Sequence, residues 1–288
     1  MKIAIASGKG GTGKTTVATS LADALASSFS INFFDCDVEA PNAHLFLNPD
    51  LKDIKPAVIP IPVINDEACS ACGLCVNVCQ YHALAVIQGK VLVFPQLCHG
   101  CGSCTLNCPE RAISERERDI GRLYFGKTST GISHYMGMLT VSEPMPTPII
   151  HQLKASMQEH ADITIYDSPP GASCAVVATT YDADYVLLVT EPTPFGLHDL
   201  KQMLGIVKQL NAPAGVIINR QGIGDKRVEN FLAQSPYPIL MTIPHRIEIA
   251  AGLASGRLLT EILPAYRHQF IALYEKIAEQ VNVNQENR

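Results

Sequence analysis

No apolar run in this sequence approaches the roughly 20 residues that a membrane-spanning helix requires, so stable membrane insertion is not expected. Clustered basic charge is equally scarce. With 22 Lys and Arg against 27 Asp and Glu, the net charge of −5 argues against a nucleic-acid partner, because phosphate neutralisation needs grouped cations. A secretory signal is missing too: Met1 to Ser7 is a short apolar stretch that leads straight into glycines, and a cytoplasmic location is the expectation. Charged residues are few, at 17% of the 288, and hydrophobic ones make up 47%, enough to bury a large core.

What the chain does have is cysteine in a strict pattern. The phrase C-x2-C-x2-C-x3-C occurs as Cys69, Cys72, Cys75, Cys79 and again, 29 residues on, as Cys98, Cys101, Cys104, Cys108. Four thiolates satisfy one [4Fe-4S] core and the short spacing wraps the backbone around it, so two copies predict two clusters. Disulfides belong to secreted chains, and zinc sites pair two C-x2-C knuckles instead of a triplet plus a fourth. This run is the one found in bacterial ferredoxins, where the fourth cysteine crosses to the other cluster. The assignment is therefore Cys69, Cys72, Cys75 and Cys108 for one centre and Cys98, Cys101, Cys104 and Cys79 for the other. Pro109 follows the second run, whereas Gln80 stands after the first, a departure expected to change a turn and not the ligation. Between the runs, Leu84 to Ile87 and Val91 to Phe94 flank Gln88-Gly89-Lys90 as a hairpin. So small a module buries too little apolar surface to hold together without metal.

The chain opens with a second motif. An apolar strand, Lys2 to Ser7, runs into Gly8-Lys9-Gly10-Gly11-Thr12-Gly13-Lys14-Thr15-Thr16 and then a helical pattern to about Ser27. Gly8 to Thr15 meets the Walker A expression, in which backbone N–H groups and a helix N-terminus face the phosphates. Lys14 is the candidate for the β and γ phosphates, and the Thr15 hydroxyl for Mg2+.

With the additional Lys9, this loop resembles the deviant Walker A of MinD/ParA-type ATPases, a family that includes the nitrogenase iron protein; the likeness extends over most of the chain. The resemblance implies a nucleotide-dependent homodimer in which Lys9 contacts the phosphates held by the partner subunit, as an arginine finger does. It implies a switch role for Asp37, orienting the attacking water, with Asp35 and the Walker B candidate Asp167 in the Mg2+ shell and Gly171 near the γ phosphate. Asn219, Arg220 and Pro244 fall at positions expected to meet the adenine. Acids at the ends of parallel strands suit this reading, because ligands gather there.

Short apolar runs at Tyr185 to Thr190, Gly215 to Ile218 and Ile239 to Ile243 indicate a parallel sheet covered on both faces. The expected fold is α/β: a mostly parallel, doubly wound P-loop NTPase sheet, residues 1–63 and 119–288, with an inserted small α+β bacterial ferredoxin-like domain at 64–118. Pro56, Pro60 and Pro62 read as punctuation before the insertion, and Ser114 to Asp119 as its charged end. Met136, Met138 and Met145 look like packing, and Ile149 to Gln158 like a helix. A stripe of Ile262, Tyr266, Phe270, Leu273, Ile277 and Val281 reads as a docked terminal helix and not a membrane-binding tail.

Cys36 is expected to be a small buried side chain. Cys174 follows Asp167 at the spacing of a cluster ligand in the nitrogenase iron protein, but no second cysteine accompanies it, and an inert thiol near the interface is the expectation. Together these features suggest an ATPase switch joined to a two-centre electron carrier, with a redox or client protein as partner. An iron-sulfur carrier or assembly ATPase is an alternative, although no surplus C-x-x-C lies outside the two runs. An ATP-controlled positioning or scaffold protein is another.

Overall fold

Residues 1–157 and 160–286 are described by the computed structural model. Its strands are β1 (Lys2–Ala6), β2 (Ile31–Asp35), β3 (Asp50–Ile64), β4 (Leu84–Ile87), β5 (Lys90–Val93), β6 (Ile113–Lys127), β7 (Ser133–Leu139), β8 (Ile163–Asp167), β9 (Tyr185–Thr190), β10 (Ala214–Gln221) and β11 (Ile239–Pro244). All but β4 and β5 form one sheet in the order β11-β10-β9-β1-β8-β2-β7-β6-β3. From β11 to β7 the pairing is parallel; β6 and β3 follow as an antiparallel hairpin. The parallel α/β sheet is therefore present, extended by a margin that the sequence did not announce.

Strand alternation explains the two-sided core. Ile3 and Ile5 of β1, Phe33 of β2, Ile165 of β8 and Leu187 of β9 pack on one face with the helices Lys14–Leu25 and Ala265–Glu286. Ala4, Phe34 and Tyr166 face the other side with the helix Pro146–Ala155. The stripe on the last helix is buried: Tyr266, Phe270, Leu273, Ile277 and Val281 all belong to the first core, while Ile262 sits in a separate turn, Leu259–Ile262. Pulling Phe270, Leu273 and Ile277 out would cost on the order of 5 kcal/mol or more, so the helix is structural and not a free amphipathic tail. Among the described residues no helix is long and apolar enough to cross a membrane. The helix read as Ile149 to Gln158 runs from Pro146 to Ala155; Gln158 lies outside the described residues.

The β3–β6 hairpin is the distinctive element. It pairs from Asp50 with Lys127 to Ile64 with Ile113, but β7 accompanies β6 only through Gly121–Lys127. Its far half is thus a two-stranded arm. Pro56, Pro60 and Pro62, read as loop punctuation, lie within β3, an edge strand where a missing N–H does little harm. Ser114 to Asp119, read as the charged end of the insertion, is the first part of β6.

Residues 65–112 sit between the two strands of this arm. They hold the expected hairpin, β4 and β5, turned by Gln88 and Gly89 at φ 50° and 77°, the pair of positive angles that a type I′ turn requires. The backbone repeats along with the cysteines: Ala71 and Gly100, Gly73 and Gly102, and His82 and Arg111 all have positive φ, each pair 29 residues apart. One-turn helices, Leu74–Asn77 and Ser103–Leu106, occupy matching places.

Candidate nucleotide and cysteine sites

The loop between β1 and the helix Lys14–Leu25 is shaped by glycines in conformations that other residues resist. Gly11 and Gly13 have φ 77° and 95°. A Cβ on Gly13 would stand 2.3 Å from Asn219 Nδ2, the atom that donates to the Thr12 carbonyl at 2.7 Å. Asn219, expected beside the adenine, therefore also braces the loop. Gly8 lies against the backbone of Asp199, and the Gly171 N–H donates to the Ser7 carbonyl at 3.0 Å. Gly171, with φ 90°, thus joins the segment after β8 to the foot of the loop. Lys14 and Thr12 are buried, Gly10 is open to solvent contact, and Thr15 and Thr16 begin the helix.

The strand-end acids converge as expected. Asp35 and Asp167 are completely buried register partners across β2 and β8. Asp35 accepts backbone N–H bonds from Asp37, Asn42 and Ala43 at 3.0–3.2 Å. Burial still drives its pKa well up, and the negative Asp167 adds to the rise. Neither oxygen of Asp167 has a well-formed hydrogen bond among the described residues. Burial lifts Asp167 to about 6, with Lys14 and the Thr15 hydroxyl favouring the charged form. Asp37 is also raised, by burial first, against the pull of Lys14. A buried carboxylate next to a threonine hydroxyl and a lysine fits an oxygen-ligated divalent cation.

At the other rim, Pro244 ends β11 in register with Gln221. Arg220, with φ 52°, and Lys9 both reach one side chain that sequence reasoning missed: Glu191, which accepts from Lys9 Nζ at 2.9 Å and Arg220 Nη1 at 2.5 Å. Its signal was present, an acid closing the apolar strand β9, the same cue that singled out Asp35 and Asp167.

The eight run cysteines separate into two cavities. One is lined by Cys69, Cys72, Cys75 and Cys108 together with Ile64, Val91 and Ile113. The other is lined by Cys98, Cys101, Cys104 and Cys79 together with Pro60 and Pro62. Each cavity takes three thiols from one run and the fourth from the other. Among the described residues no His, Cys, Asp or Glu group is gathered as a single-ion site. Four thiols around each cavity are a donor set that fits a polynuclear thiolate-ligated centre. The crossing thiols receive matching bonds, Ala83 N–H to Cys79 Sγ and Ala112 N–H to Cys108 Sγ, both 3.3 Å. Burial raises Cys75, Cys98 and Cys104, while the Ser103 hydroxyl lowers Cys101. Cys36 is fully buried and pushed far up by its burial; Cys174 is exposed.

A strand, a glycine loop opening a helix and acids at the ends of neighbouring parallel strands define a P-loop nucleotide-binding protein. Residues 3–259 match the CobQ/CobB/MinD/ParA nucleotide binding domain, and the chain belongs to that family. It is 34% identical over 283 residues, 97% of each chain, to an uncharacterized protein of Methanocaldococcus jannaschii. A ferredoxin of Pyrobaculum islandicum is 36% identical over 76 residues, 24% of this chain and 71% of the ferredoxin. An iron-sulfur cluster carrier protein of Pyrococcus horikoshii is 23% identical over 228 residues, 75% of this chain and 60% of the carrier. In fold, the chain is similar to the septum site-determining protein MinD of Pyrococcus horikoshii, solved with Mg-ADP: TM-score 0.59 at 19% identity, covering 98% of this chain and 97% of that one.

Proposed function

We propose that this chain is an ATP-binding and hydrolysing dimeric switch that gates electron transfer between two [4Fe-4S] clusters and a protein partner. Gly8 to Thr16 would cradle the phosphates, with Lys14 neutralising charge and Gly171 close to the γ phosphate. Thr15, Asp35 and Asp167 would hold Mg2+ and its waters, and Asp37 would orient the attacking water. Asn219, Arg220 and Pro244 would flank the base, and Lys9 would act across the dimer. Residues 64–118 would form the inserted ferredoxin-like domain, each cluster held by the crossed quartet that lines its cavity. The clusters, when bound, supply one-electron storage and transfer.

One observation carries the coupling. Cys36 and Val38, which alternate with the switch acids Asp35 and Asp37, pack in the same apolar cluster as Ile59, Ile61, Ala83 and Cys98. A shift of the switch segment would therefore reach the wall of the nearer cysteine cavity through the packing of this shared cluster. A coupling of about 1–3 kcal/mol, ordinary for two linked sites, corresponds to a change of roughly 40–130 mV in potential.

The test is anaerobic purification, iron and sulfide determination, and potentiometry with and without ATP in the parent and in Lys9→Ala. Colourless, iron-free protein after reconstitution would remove the cluster reading. Equal potentials, with electron transfer indifferent to nucleotide, would remove the gating. The resemblance to an iron-sulfur cluster carrier supports a second reading, cluster delivery. Fast transfer of iron and sulfide to an apo-protein, faster with ATP, would select it.

A further inference from the structure

Glu191 closes β9 with a side chain only 5% exposed, yet it serves two cations that are far more open, Lys9 at 35% and Arg220 at 47%. Both belong to the nucleotide site, Lys9 through the glycine loop and Arg220 through Asn219, whose amide oxygen accepts the Arg220 N–H at 2.8 Å. Thr12, Asn219, Arg220, Glu191 and Lys9 thereby make a ring of contacts around one side of the loop. The backbone of Glu191 is pinned as well. Its carbonyl accepts the Thr193 N–H at 2.8 Å, and a Cβ on Gly196 would stand 2.2 Å from that oxygen. The backbone that carries the carboxylate is therefore fixed beside the loop.

We infer that Glu191 is a positioning residue that holds Lys9 within its own protomer and sets the threshold at which an ATP-loaded second copy of this chain captures it. The inference rests on the dimeric reading above. Turning Lys9 toward a phosphate of a second copy would break its 2.9 Å contact and leave the buried carboxylate to Arg220 alone. Removing the negative charge lowers this barrier. Because both cations are substantially exposed, water solvates them when the carboxylate is gone, and the substitution strands no buried charge.

The two variants of this triad have opposite expected signs. Glu191→Gln frees Lys9 and is expected to tighten ATP-dependent self-association about tenfold, ~1.4 kcal/mol. Arg220→Ala leaves Lys9 as the sole partner of Glu191 and is expected to weaken it. Self-association is measured by sedimentation velocity at saturating Mg·ATP, with Mg·ADP as reference, where neither variant is expected to associate. Glu191→Asp, which withdraws the charge by one methylene, is expected to tighten less than Gln and takes its place if the Gln variant fails to fold. A dimer unmoved or weakened by both Glu191 substitutions, or shifted in the same direction by Glu191→Gln and Arg220→Ala, overturns the inference. If parent and Glu191→Gln both bind ATP and neither associates, the dimeric reading falls and this one with it.

Discussion

Asp35 and Asp167 face each other across β2 and β8 with no solvent exposure, yet only Asp35 is supplied with backbone N–H donors. Two carboxylates so close and so dry resist simultaneous ionisation: burial raises both, and the negative Asp167 lifts Asp35 further. The site is thereby built to be completed by a cation.

Asp167→Asn removes the unsupported charge. At pH 7 the nucleotide-free variant is expected to be more stable than the parent by about 1–3 kcal/mol, read as a higher midpoint in urea. Mg-dependent ATP hydrolysis is expected to fall at least about 100-fold. A variant that is both less stable and fully active would contradict this account of the pair.

The same carboxyl gives a pH dependence with a definite sign. Native Asp167 keeps its proton up to about pH 6, against 3.8 for an unperturbed group, so the native state binds more protons between those values. Its contribution to stability is full below pH 3.8 and is lost as pH rises through 6. Mg2+ needs the ionised form, so affinity for Mg2+ in the presence of ADP is expected to drop about tenfold per unit below pH 6. Titration calorimetry at pH 5.0 and 7.0 reads this directly.

Gly13→Ala meets two obstacles, a φ of 95° and the amide of Asn219 at 2.3 Å from the new methyl. Loss of ATP binding by 100-fold or more, with the rest of the fold intact by circular dichroism, is the expected result.

The crossed cysteine pattern is tested by Cys108→Ser. Although Cys108 ends the second run, it lines the cavity of Cys69, Cys72 and Cys75, so the centre expected to change is the one held by the first run. Combining Cys108→Ser with Cys72→Ser should then damage one centre only, leaving about half of the iron and one unperturbed electron paramagnetic resonance signal. Cys108→Ser with Cys101→Ser should damage both.

Arg118 in the arm forms a two-point ion pair with Glu143, at 2.5 and 3.3 Å, and both side chains are largely buried. Glu143→Ala leaves the guanidinium without its counter-charge. A loss of about 3 kcal/mol in stability is expected, with faster hydrogen exchange in β6. An unchanged denaturation midpoint would show that the arm is held by apolar packing alone.

Both chemical sites were largely legible in the sequence because each depends on local spacing. Lys14 and Thr15 follow the glycines that shape their loop, and the two cysteine runs carry their own geometry. The strand-end acids were legible for a similar reason, since apolar β2 and β8 end side by side at the two carboxylates. What escaped was long-range. Nothing near Pro60 tells that the proline will lie beside a strand more than 50 residues away, because the β3–β6 pairing is decided by closure of the intervening segment. Glu191 escaped because its meaning comes from Lys9 and Arg220, which reach it from the loop after β1 and from the end of β10.

The outer margin of the sheet has a further effect. Pro56, Pro60 and Pro62 lack the N–H that an incoming strand would need, and the Gln152 side chain already engages both the N–H and the carbonyl of Val58. A foreign chain finds no continuous ladder to extend there, so this border resists fibre-like growth when the protein is concentrated.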